Sequence, residues 1–258
     1  MKYISLILAI AFAIFGSWLV WRDSQQLAAP VVDLPNATTT AATSQNTPIG
    51  IEGDGVYEIV NLREKAEHIL QRPIIFASEP PAPIKEDIEN QIKENTGLLR
   101  SDSNVFIPWI SLGQLRKVIG DYEGARDAWE FVGIVHPKNA LSFHNLGDLY
   151  GSYLRDFPKA EMNYLISIEN DNANINAYLN LADLYWYGGY KDKIADLLLA
   201  GIKINTKIEN KLPLLARLAK YYAEVGDKEN ATNYYKEIIY LDPANAEIIQ
   251  QEIDRLHK

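Results

Sequence analysis

Asp148 and Asp183 have the look of a carboxylate pair, the equipment of general acid–base chemistry. Their setting argues otherwise. Each is the fourth letter of the same phrase, N-L-x-D-L-Y, once in "LSFHNLGDLY" at 141–150 and again in "NAYLNLADLY" at 176–185. Two carboxylates repeated at a fixed period are ladder members, whereas an acid–base couple needs a chosen separation across one substrate. The other reactive residue types are sparse. Cysteine is absent, which removes thiol nucleophiles, thiolate zinc sites, iron–sulfur clusters and disulfides. The four histidines, His68, His136, His144 and His257, show no HExxH spacing and no acidic companion motif. "GDGV" and "YGGY" are too short to cradle phosphate and read as turns. The chain is expected to be no enzyme, and to carry no cofactor and no metal.

The letters around the phrase recur more widely. Trp109, Phe143, Tyr178 and Leu215 open four copies, spaced 34, 35 and 37 residues apart. After each opening residue come a leucine and a small residue: Leu112 and Gly113, Leu146 and Gly147, Leu181 and Ala182, Leu218 and Ala219. Tyr150, Tyr185 and Tyr222 follow, with Arg116 in the tyrosine's place in the first copy. Aromatic, Leu, small and Tyr at i, i+3, i+4 and i+7 share one face of a helix. Ala125, Ala160, Ala195 and Ala231 offer small contacts on a second helix, followed by Trp129, Tyr164, Leu199 and Tyr235. Pro137 and Pro243 close the first and last copies, and "GDY" and "GDK" make inner turns. The third copy lacks the proline and carries "WYGGYKDK" at its turn, so it is expected to be the least regular.

This pattern resembles the tetratricopeptide repeat, whose signature is W-x2-L-G-x2-Y, then A-x3-F, then P. The resemblance covers residues 104–243 and implies an all-α fold, a solenoid of about four helix pairs. "ANAEIIQQEIDRLHK" reads as a capping helix with Ile248, Ile249, Ile253 and Leu256 inward. One unit buries too few side chains to offset the entropy of ordering it, so neighbours must share faces. The resemblance also implies that first helices line a concave groove. By the 100° step, His144, Asn145 and Asp148 fall away from the apolar stripe of the second copy. Asn180, Asp183 and Tyr187 do so in the third, and Arg217 and Lys220 in the fourth. These residues are the candidate partner-binding groove, and an Asn ladder there suits the backbone of an extended peptide. Alternatively, Asn145 and Asn180 tie repeat to repeat. Some relatives grip a C-terminal carboxylate with Lys, Asn, Asn, Lys and Arg. The corresponding places here are His144, Asp148, Asn180, Pro213 and Arg217, and only Asn180 and Arg217 match.

What precedes the repeats sets the expected location. Tyr3 to Trp21 carry no charge and as a helix span roughly 28 Å, about a bilayer's hydrocarbon thickness. A cleaved leader ends in small residues, whereas "GSWLVW" is bulky. Residues 1–23 are therefore expected to be a single-pass transmembrane anchor. Lys2 and the terminal amine outweigh Arg22, which places the N-terminus in the cytoplasm and the repeats on the extracytoplasmic side. Residues 24–54, rich in Thr, Ala, Ser, Asn and Pro, read as a flexible linker. Residues 55–103 read as an adaptor with a first helix on Ile59, Leu62, Ala66 and Ile69 and an extended "RPIIF". A second helix follows on Ile84, Ile88 and Ile92, stopped by Gly97. "NAT" at Asn36 and Asn230 matches a glycosylation acceptor by accident of a common triplet. A net charge of -9 supplies no field for a nucleic-acid backbone. The sequence thus leads to a membrane-tethered scaffold that binds another protein or peptide segment. The rival readings are a structural accessory of an envelope assembly complex and a cell-wall-binding subunit, the latter on Trp186 and Tyr187.

Overall fold

Six helices among the described residues begin where an Asn or Asp takes up an amide donor that the first turn leaves open. Asn61, Asp121, Asn139, Asp156, Asn174 and Asp227 each accept a backbone N–H two or three residues ahead. A computed structural model of the protein describes residues 61–258. The expected anchor and linker lie outside the described residues, as do Ile59 and the acceptor triplet at Asn36.

Among the described residues the elements are helical: α1 (Leu62–Leu70), α2 (Ala82–Ser101), α3 (Phe106–Val118), α4 (Tyr122–Val135), α5 (Ala140–Ser152) and α6 (Phe157–Asn170). There follow α7 (Ile175–Gly188), α8 (Ile194–Ile204), α9 (Ile208–Glu224), α10 (Lys228–Leu241) and α11 (Ala246–Leu256). None is long and apolar enough to cross a membrane. Helices α3/α4, α5/α6, α7/α8 and α9/α10 form four hairpins, each packed on the next, and α11 closes on α10.

The core follows the repeated letters. Trp109, Leu112, Phe143, Leu146, Tyr178, Leu181, Leu215 and Leu218 are buried along the first helices. Small residues permit the close approach of the second helices. A Cβ on Gly147 would stand 2.6 Å from the Tyr164 ring, and one on Gly113 would strike the Trp129 indole. That indole donates from Nε1 to the carbonyl of Ile110 at 3.1 Å, which locks it over the glycine.

The place of Arg116 is explained by the segment before it. Residues 72–77 run as an extended strap over the first hairpin, with Ile74 and Phe76 packed on its core. Arg116 is 2% exposed and donates to the carbonyls of Pro73 and Arg72 and to Asp121. Ala77 N–H donates to the carbonyl of Ile119 at 2.8 Å. A tyrosine has one hydroxyl; the guanidinium fork serves three acceptors. Helices α1 and α2 join the same core through Ala66, Ile69, Leu70, Ile92 and Leu99.

Four expectations need correction. Gly97 does not stop α2, which runs to Ser101 because Leu99 continues the buried stripe. Ile84 opens that helix 52% exposed, a turn short of the contact. In α8 the buried positions are Ile194 and Leu198, not Ala195 and Leu199, because Ala160 follows Phe143 by 17 residues, whereas Ala125, Ile194 and Ala231 follow Trp109, Tyr178 and Leu215 by 16. Ile248 is 61% exposed, and α11 packs through Ile249, Ile253 and Leu256 instead. The third hairpin is irregular as expected: a 3-10 turn at Lys191–Lys193 precedes α8, which has no side-chain cap. Asn230 sits in the first turn of α10, where its amide donates to Asp227 at 2.7 Å.

Candidate functional site

Burial of Phe143, Leu146 and Tyr150 on α5, of Tyr178, Leu181 and Tyr185 on α7, and of Leu215 and Leu218 on α9 fixes how these helices are rotated. The polar residues between them must then share the other face. His144, Asn145, Asp148, Asn180 and Arg217 are half-buried there, while Asp183, Lys220 and Tyr187 are exposed, Tyr187 by 77%.

The structure joins most of them in a ladder that crosses from hairpin to hairpin. Lys117 of α3 meets Asp148 of α5 at 2.9 Å. His144 of α5 meets Asn180 of α7 at 3.4 Å. Asp183 of α7 accepts from Nε of Arg217 of α9 at 2.8 Å. Glu224 stands near both Arg217 and Lys220, at 3.9 and 3.7 Å. Asp148 and Asp183 each face a cation of a neighbouring hairpin. Tyr187 stands outside the ladder. Tyrosine hydroxyls add a second set of ties to the preceding hairpin: Tyr150 to Glu130 at 2.6 Å, Tyr185 to Glu161 at 2.7 Å.

His144 is the titratable centre of this face. Burial holds its imidazole below the usual histidine value; Asp148 acts against that shift and Lys117 with it. Its ring lies edge-on to Tyr164 at 5.7 Å. With the Asn180 amide as donor, Nε2 accepts and the proton sits on Nδ1. Burial also raises the Tyr164 hydroxyl, opposed by a hydrogen bond from Asn180.

Three buried side-chain nitrogens bond to no other group among the described residues: Nδ1 of His144, Nδ2 of Asn145 and Nη1 of Arg217. All three are on this face, and all three are donors. Lys117, Glu224 and Trp186 belong to the face as well, with Arg217 5.8 Å from the Trp186 ring. Letter matching misses them because Lys117, Gly151 and Trp186 hold one place in successive hairpins without sharing chemistry. No group of three His, Asp or Glu side chains able to hold a metal occurs among the described residues.

Comparison with known proteins bears on the architecture. Residues 212–245, the fourth hairpin, match the tetratricopeptide repeat family model. The solved structure of MamA superposes with a TM-score of 0.52 at 19% identity, over 64% of this chain and 94% of that one. Repeats of a putative kinesin light chain from Podosopora anserina superpose with a TM-score of 0.51 at 15% identity, over 71% and 94%. The fold is a tetratricopeptide-repeat solenoid. None of the curated proteins matches the sequence. In this solenoid the candidate residues are on the first helices of consecutive repeats, and the repeat-to-repeat ladder is their common geometry.

Proposed function

We propose that the chain is a membrane-tethered interaction scaffold whose first-helix face holds an extended segment of a partner protein. The anchor at 1–23 would keep the N-terminus in the cytoplasm and present the repeats on the extracytoplasmic side. The observation that supports binding is the set of buried nitrogens without a hydrogen-bond partner among the described residues, on His144, Asn145 and Arg217. An unmade hydrogen bond to a buried group costs about 1–3 kcal/mol, and a fold has little reason to gather three on one face. Backbone carbonyls of an extended chain would satisfy them, once these side chains turn outward from their neighbours.

A second reading, repeat-to-repeat architecture without an exchangeable ligand, is favoured by the ladder itself, in which Asn180 already meets His144. The two asparagines therefore divide the question. Asn145→Ala should leave melting unchanged and weaken a partner isolated by pull-down with the full chain. One lost hydrogen bond predicts roughly 2- to 13-fold. Asn180→Ala should lower the melting temperature. If Asn145→Ala binds the captured partner at full strength, the face is architecture.

A further inference from the structure

A second surface lies at the inner turns of the second and third hairpins, apart from the donors of the first-helix face. Its first sign is backbone strain. Arg155 has a φ of 55°, and it directly precedes Asp156, the residue that caps α6. In the first and fourth hairpins the residue before the capping Asp is Gly120 or Gly226, with φ of 83° and 85°. Only glycine adopts this region without a Cβ conflict. The second hairpin thus carries a long cation where glycine would be free of strain. Strain of this kind persists where the side chain has a task.

Arg155 is exposed, and no acidic group pairs with it among the described residues. The third hairpin's turn brings a second such cation, Lys191, whose Nζ sits 4.0 Å over the Trp186 ring. The turns touch through Phe157 and Tyr190, stacked at 5.0 Å. Beside them Tyr187 is 77% exposed and Tyr190 37%. Of the four cations in residues 153–159 and 186–193, Lys159 pairs with Asp156 at 3.2 Å and Lys193 with Glu161 at 2.7 Å, which leaves Arg155 and Lys191 without an acidic partner among the described residues. A chain of net charge -9 has therefore collected positive charge and exposed rings at one place.

We infer that this edge is a docking surface for an acidic segment of a partner protein that carries aromatic or aliphatic side chains among its carboxylates. Arg155 and Lys191, which have no acidic partner among the described residues, attract the carboxylates, and the exposed Tyr187 ring takes the apolar groups. This edge shares Trp186 and Tyr187 with the first-helix face but none of the three nitrogens that lack a hydrogen bond there.

The test uses the full chain in neutral detergent, with a glutamate–tyrosine copolymer as probe. Binding should weaken as salt is added, since the contact is exposed. Arg155→Glu with Lys191→Glu should weaken it about tenfold, the scale of two exposed charge contacts reversed, without a fall in melting temperature. Tyr187→Ser should remove the preference for this copolymer over polyglutamate. Arg155→Gly should melt higher than the parent and still bind less, which separates the strain from the charge. Undiminished binding by the double reversal would overturn the proposal. So would a loss confined to phosphatidylglycerol vesicles, which would assign the edge to a membrane surface.

Discussion

At Gly147 the packing can be tested, because an added Cβ would clash. A Cβ there would lie 2.6 Å from Cδ1 of Tyr164, whereas carbon atoms rest at about 3.5–4.0 Å. The ring has little room to retreat, being 4% exposed and edge-on to His144 at 5.7 Å. Overpacking of this kind costs about 1–3 kcal/mol. Alanine in place of glycine inside a helix contributes about 1 kcal/mol in the other direction. Gly97 provides the control, since it lies inside α2 and a Cβ there meets nothing within 4 Å. Gly97→Ala should therefore stabilise, and Gly147→Ala should lie below it by the overpacking cost of about 1–3 kcal/mol. At about 2–4 °C per kcal/mol for a unit of this size, thermal melts followed by circular dichroism should resolve the pair. Repeat arrays can lose all-or-none unfolding, so hydrogen exchange of α5 and α6 gives a local reading. If the two variants melt together, the helix contact at Gly147 is not what sets the distance between α5 and α6.

Two further outcomes follow from buried groups. Arg116→Met strips the strap carbonyls of their donor and should cost about 2–4 kcal/mol, with faster exchange of the Ala77 amide. His144 titrates below its ordinary value of 6.5 in the folded chain. The unfolded chain therefore takes up the proton first, so the stability due to neutral His144 is complete above 6.5. It declines as pH falls from there toward the depressed folded value. Melting temperature should drop between about pH 7.5 and pH 5.5, and His144→Gln should flatten that part of the profile.

The sequence made the helical pairs legible because each hairpin repeats a buried stripe whose period is set by the helix itself. The error in α8 shows the limit. A spacing of 35 carried from Ala160 lands on Ala195, but Ala160 follows Phe143 by 17 residues and Ile194 follows Tyr178 by 16, so Ile194 and Leu198 are buried. Gly97 misled because a glycine with ordinary helical φ gives no stop. The candidate face was legible as a direction on each helix. Its partners were not: Lys117 with Asp148, or Asp183 with Arg217, depend on how far one helix is displaced along the next. That stagger is a property of packed pairs, and no single helix encodes it.

The ladder also decides how the protein answers a pull. The ties between Lys117 and Asp148, His144 and Asn180, and Asp183 and Arg217 each join a helix to the next hairpin along, and helices that pack together are near in sequence. Stability in such a stack is a sum over units and their immediate interfaces. Under tension it yields as a row of links, each able to part without breaking the rest and to close again over a short loop. The solenoid is thus expected to behave mechanically as a compliant chain that lengthens in steps of one hairpin.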